Sequence, residues 1–129
     1  MEFTLPEQFE EFAEKIHQFY DVVIFDFPAG IDFSLYSSLP KHTVVLAVAN
    51  PDPVSVRDAG AVSDALFEAG IPARLIINRF EKKQQKKYRF KNIDEIIDDS
   101  ALRLIGIIPE SDELRVLSLK HRIGKRQKA

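Results

Sequence analysis

The chain has 129 residues, of which 45% are hydrophobic and 29% charged, a balance that suits one folded domain and excludes a disordered chain. Cysteine is absent and the formal net charge is −2, which excludes a disulfide framework and a thiolate metal site and gives no overall field toward a polyanion. The charge is uneven: acids dominate the first third, while bases gather in residues 82–91 and 120–128. His17, His42 and His121 are scattered and form no metal-ligand pattern, and the sequence carries neither a secretory leader pattern nor an apolar run long enough to span a bilayer. The expectation is a cytoplasmic protein without an integral membrane segment.

Along the chain, Thr4 and Glu7 have the spacing of a capping box, and Phe9, Phe12, Ala13, Ile16, Phe19 and Tyr20 follow at helical steps. Val22-Val23-Ile24-Phe25 is apolar on both faces and too short for a helix, which predicts a buried parallel strand ending at Asp26. Thr43–Val48 repeats the pattern. Asp52-Pro53 opens a helix whose predicted inward residues are Val54, Val62, Ala65, Leu66 and Ala69, closed by Gly70. Ala73–Ile77 is the third predicted strand, ending at Asn78. Asn92 with Glu95 marks another capped helix start, with Ile93, Ile96 and Ile97 on its buried side. Leu104–Ile108 is the fourth strand, a short helix begins near Ser111, and residues 120–129 read as a basic flexible tail after a single domain over 1–119.

Alternating strands and helices predict an α/β layer sandwich with a parallel sheet of about four core strands. Ligands of such sheets sit beyond the carboxyl ends of the strands. Asp26, Asn50, Asn78 and Glu110 all fall at or just past those ends. Strand ends are polar in many proteins without any site, so position alone leaves both readings open.

The segment Tyr20-Asp21-Val22-Val23-Ile24-Phe25-Asp26-Phe27-Pro28-Ala29-Gly30 resembles the Walker B and switch II region of the MinD branch of the MinD/ParA P-loop ATPases. Three more blocks agree in order: Asn50-Pro51-Asp52-Pro53 through Ala59, Ile76-Ile77-Asn78-Arg79-Phe80, and Leu104 through Asp112. The resemblance implies an ATP-dependent switch in cell-division-site or partition positioning, with ATP and Mg²⁺ as cofactors and division or partition regulators as partners. It gives Asp26 the role of holding a magnesium-bound water and Gly30 that of a γ-phosphate sensor. Asn78, Arg79, Pro109 and Glu110 become the adenine pocket, and Arg57 and Asp58 a regulator-facing pair.

The departures are specific. The family's Lys-Gly-Gly-x-Gly-Lys-Thr phosphate loop has no counterpart among the five glycines at 30, 60, 70, 106 and 124, and Phe27 follows Asp26 where the family has a small polar residue. No apolar periodicity continues after Leu119 to make the family's membrane-binding helix. Two classes therefore stand: a portion of a MinD/ParA-type ATPase that does not hydrolyse ATP alone, or a non-catalytic interaction module that binds a relative. The resemblance also implies a strand between the one ending at Asp26 and the one at Thr43–Val48, and this predicts self-association or a strand-supplying partner. The run Lys82–Lys91 mixes six cations with two aromatics, which fits either a solvated loop or a DNA contact.

Overall fold

The computed structural model describes residues 6–30, 32–83 and 92–127, the side chains of Pro6 and of 121–127 excepted. Thr4 and most of the basic run Lys82–Lys91 lie outside the described residues. The elements run α1 (Pro6–His17), a 3-10 helix (Phe33–Ser38), β1 (Val45–Ala49), α2 (Pro53–Glu68), β2 (Ala73–Phe80), α3 (Ile93–Ser100), β3 (Leu104–Pro109) and α4 (Asp112–Gln127). The strands form one sheet in the order β1-β2-β3, every pair parallel. This is the expected α/β layered architecture.

Local chemistry places the helix ends. The Asp52 carboxylate accepts from the N–H groups of Val54 and Ser55 at 3.1 and 2.9 Å, with Pro53 in the first turn, so two orphan donors of α2 are satisfied. At the other end Gly70 has a φ of +70°, and the N–H groups of Gly70 and Ile71 return to the carbonyls of Phe67 and Leu66, the pairing of a Schellman cap. Asn92 and Glu95 exchange the two bonds of a capping box at 2.9 and 3.1 Å. α3 ends less comfortably, because its C-cap Ala101 stands at a φ of +54°, a conformation that crowds its Cβ.

The core lies on one face of the sheet. Ala49, Leu75 and Ile77 from the strands meet Val56 and Ala59 of α2, Ile96 of α3 and Leu102, with Ile93 and Ile97 packed against them. The buried stripe of α2 is Val56, Ala59, Ser63 and Leu66; Val54 and Ala69, expected inward, are exposed. The helical rotation of about 100° per residue explains it: a stripe centred on Val56 and Leu66 carries Val54 and Ala69 off the contact. Helices α2 and α3 approach closely at Gly60, where a Cβ would stand 3.0 Å from the Asp99 carbonyl oxygen.

Two further expectations need correction. Val22–Phe25 is not a strand and pairs with no neighbour in the described sheet, Val22 and Ile24 are 75% and 86% exposed, and the described sheet has three strands. A strand is a property of pairs; β-branched composition favours the extended backbone, but no neighbour supplies the ladder. What holds the segment is aromatic packing on α1, with Phe9 against Phe25 and Phe27 at ring separations of 5.0 and 5.6 Å and Phe12 against Phe25 at 6.3 Å. The final helix, expected to be short, reaches Gln127 and takes in most of the segment read as a basic tail. Lys and Arg are good helix formers even where they bring no apolar periodicity.

Candidate functional site at the carboxyl end of the sheet

The parallel register brings the ends of β2 and β3 together. Ile77 pairs with Ile107 and Phe80 with Pro109, and between these pairs the register is irregular. The irregularity sits at Asn78 and Arg79, where Arg79 takes a φ of +54°. A left-handed non-glycine residue at a strand end costs of order 1 kcal/mol and turns the neighbouring side chains out of the pleat. The Asn78 side chain is half-buried, and Arg79 is exposed.

Across from them, the Glu110 N–H donates to the Phe80 carbonyl at 3.1 Å, carrying the pairing one residue past Pro109. The Glu110 carboxylate is engaged by Arg115 of α4 at 3.6 Å, and Arg115 also reaches Asp112 at 3.5 Å. Of the four residues predicted to line an adenine pocket, all four thus share one corner of the sheet. The Glu110 N–H is already used by Phe80, so what the polar groups at this corner can still offer a ligand are side-chain amides and main-chain carbonyls.

The other predicted residues stand elsewhere. Asp26 ends the unpaired run and is exposed, and no hydrogen bond or ion pair engages it among the described residues. Gly30 closes the following turn at a φ of +80°, with nothing within 4 Å of where a Cβ would be. No hydrogen bond or ion pair among the described residues joins Asp26 or Gly30 to the Asn78–Glu110 corner. Arg57 and Asp58 form an exposed pair at 3.7 Å in the first turns of α2, a geometry that contributes little to stability.

Sequence reasoning missed the 3-10 helix between Asp26 and β1. Its start is signalled by Asp32, whose carboxylate accepts from the Ser34 N–H at 2.9 Å, and this bond holds Asp32 below the usual carboxylate range. It buries Tyr36, which stacks with Phe33 at 5.6 Å, and burial pushes the phenol up. The short helix packs on α1 and α2 and so joins the Asp26 segment to the rest of the molecule.

No family model matches the chain. The septum site-determining protein MinD of Bacillus subtilis is 32% identical over 111 residues, 84% of this chain and 41% of that protein. MinD of Thermotoga maritima is 28% identical over 120 residues, 91% of this chain and 44% of that one. Among solved structures, the MinD cell division protein of Aquifex aeolicus superposes with a TM-score of 0.71 at 29% identity, covering 85% of this chain and 48% of that one. The chain belongs to the MinD/ParA family. The MinC:MinD complex of Aquifex aeolicus gives the same TM-score of 0.71 over 85% of this chain. The chain spans about two-fifths of the length of the MinD relatives it matches. The likeness extends over 84–91% of this chain and less than half of each of these relatives. Among the described residues no helix is long and apolar enough to cross a membrane, and no three His, Cys, Asp or Glu side chains gather as metal ligands.

Proposed function

We propose that this chain forms the switch and base-binding side of a MinD/ParA-type ATP–Mg²⁺ site and does not hydrolyse ATP by itself. The observation that carries the reading is the convergence of Asn78-Arg79 and Pro109-Glu110 on one corner of the sheet, stitched by the bond from Glu110 to Phe80. That corner offers an amide and main-chain carbonyls, the donor and acceptor set that reads a purine edge.

Asp26 is exposed and without a competing cation among the described residues, so its carboxylate is available to a water of a hydrated Mg²⁺, an ion that keeps several waters and takes few protein oxygens. Gly30 has open space on the side a Cβ would fill, which leaves its amide approachable by a phosphate oxygen. When bound, the ion would neutralise phosphate charge. What the chain lacks is the glycine-rich loop with its lysines and hydroxyl, the part that cradles the phosphates. Base selection and switch sensing therefore fall to this chain, and phosphate transfer does not. By the same reading Arg57 and Asp58, exposed at the start of α2, face a division regulator, and the protein acts in the cytoplasm.

Chemical-shift titration of the 129-residue chain with adenosine and with ATP tests the proposal. Shifts at Asn78 and Glu110 with both ligands, at an affinity near about 1 mM or somewhat tighter, roughly 4–5 kcal/mol, are expected. Silence at both residues would remove the base site and leave the non-catalytic interaction module as the reading.

A further inference from the structure

We propose that Arg115 is a specificity-determining residue of the base site: by engaging one oxygen of the Glu110 carboxylate, it makes the corner select adenine over guanine. The proposal rests on the base-binding reading of that corner and adds to it a side chain from α4, outside the four residues that form it.

The start of α4 places the guanidinium. The Arg115 N–H donates to the Ser111 carbonyl at 3.1 Å, which closes the first helical turn, and helical side chains lean back toward the N-terminal end of their helix. Arg115 accordingly spans two carboxylates, with Nη2 3.6 Å from Glu110 Oε1 and Nη1 3.5 Å from Asp112 Oδ1. The same Glu110 oxygen accepts from the Ser111 N–H at 3.3 Å. Oε1 thus has two partners, and Oε2 has none among the described residues.

Exposure separates the two carboxylates. The Asp112 side chain is 91% exposed and that of Glu110 only 20%, so water screens the first pair and leaves the second more of its attraction. Arg79, the other cation at this corner, is exposed and forms no ion pair among the described residues. The charge of Glu110 is therefore compensated by Arg115 from α4.

The two purines ask different things of such a carboxylate. The edge of guanine carries two adjacent donors, N1–H and the N2 amino group, which a carboxylate with both oxygens open meets as a pair. The edge of adenine carries one donor, the N6 amino group, beside the N1 acceptor, and main-chain carbonyls and a side-chain amide serve it without any carboxylate. With Oε1 engaged, Glu110 has one oxygen left and its charge is offset, so the corner lacks the paired acceptor that guanine requires. Without Arg115, only the 3.3 Å bond from Ser111 would keep the carboxylate from turning both oxygens to a base.

The test is titration of the full chain with adenosine and with guanosine, followed by the amide shifts of Asn78 and Glu110. The unmodified chain is expected to prefer adenosine. Arg115→Met keeps an unbranched, helix-forming side chain and removes the charge and the donors. It should leave the circular dichroism melt in place, because an ion pair whose arginine is 56% exposed adds little stability. It should raise guanosine affinity about fivefold or more and change adenosine affinity by less than about twofold, as expected for one added charge-assisted bond in a partly solvated site. Arg115→Lys, which keeps a cation on the same turn, should retain the preference. Glu110→Gln combined with Arg115→Met takes away the released carboxylate and should cancel the gain, a reversal that mere loosening of α4 would not produce. An adenosine-to-guanosine ratio unmoved by Arg115→Met, or a guanosine gain that survives Glu110→Gln, would overturn the proposal and leave the base site standing. Silence of the unmodified chain toward both nucleosides would remove the base site itself, and the role of Arg115 with it.

Discussion

Glu110 donates its backbone N–H to the carbonyl of Phe80 at 3.1 Å, directly after the break in register that holds the left-handed Arg79. The pairing and the kink are two halves of one arrangement. Arg79→Gly should therefore keep the fold, with stability unchanged or raised by up to about 1 kcal/mol, because relief of the crowded Cβ outweighs the added freedom of the unfolded chain. It should still reduce the chemical-shift response to adenosine if the guanidinium helps form the base site. Urea denaturation and titration on the same sample separate the two effects, and a loss of stability above about 1 kcal/mol would show that the Arg79 side chain supports the sheet.

Phosphate release by the chain alone should equal the blank, and Asp26→Ala should change nothing. The carboxylate at the end of an unpaired run cannot replace a cradle of amides and lysines around the phosphates. A steady-state assay with Mg²⁺ and ATP decides the point. Turnover that vanished in Asp26→Ala would mean that another segment of this chain supplies the phosphate site.

Asp52→Ala should cost about 1 kcal/mol, since it leaves the N–H groups of Val54 and Ser55 without their carboxylate acceptor. Thermal denaturation followed by circular dichroism measures it. A change within about 0.3 kcal/mol would mean that water serves that helix end as well as the side chain does.

Ala101→Gly should stabilise the protein by about 0.5–1 kcal/mol. The residue already has the φ of +54° that glycine adopts freely, and no buried side chain is lost, because Ala101 is exposed. A destabilised variant would show that the αL strain at this cap is smaller than the entropy glycine adds to the unfolded state.

Tyr36 gives a pH signature. Burial raises its phenol above the ordinary value of 10.0, so the neutral form is favoured in the folded state. The sign follows: stability is fully present below about pH 10, and falls as pH rises from there toward the folded value, because the unfolded chain gives up the proton first. Alkaline denaturation should become shallower in Tyr36→Phe, and an identical pH profile in the two proteins would assign the alkaline loss to other groups.

The parts of the fold that were legible in the sequence are those decided within a few residues. Asn92 and Glu95 close their box over three positions, and Asp52-Pro53 starts α2 where the residue types require it. The runs that became β1, β2 and β3 were visible as short, largely apolar stretches between turn and cap residues. Val22–Phe25 has the same composition and is not a strand, since pairing depends on a neighbour that composition does not reveal. The Asn78–Glu110 corner was indicated by resemblance and then brought together by register. The left-handed Arg79 had no sequence signal at all, since it lies at a break in register between β2 and β3. Tyr36 was missed because its burial comes from a short 3-10 helix whose only local mark is Asp32.

The strand order also has a consequence for how the molecule is made. Each strand of the sheet lies beside the one that precedes it in the chain, in the order β1-β2-β3 with α2 and α3 between. During synthesis, when a growing chain emerges at about 5–20 residues per second, β2 and β3 each find the neighbouring strand already made, with a helix of the described fold in the connection. No strand of this sheet has to wait for a later one to be inserted between finished elements. The sheet can therefore assemble in step with translation, from β1 toward β3, and it emerges with the outer edge of its first strand exposed throughout.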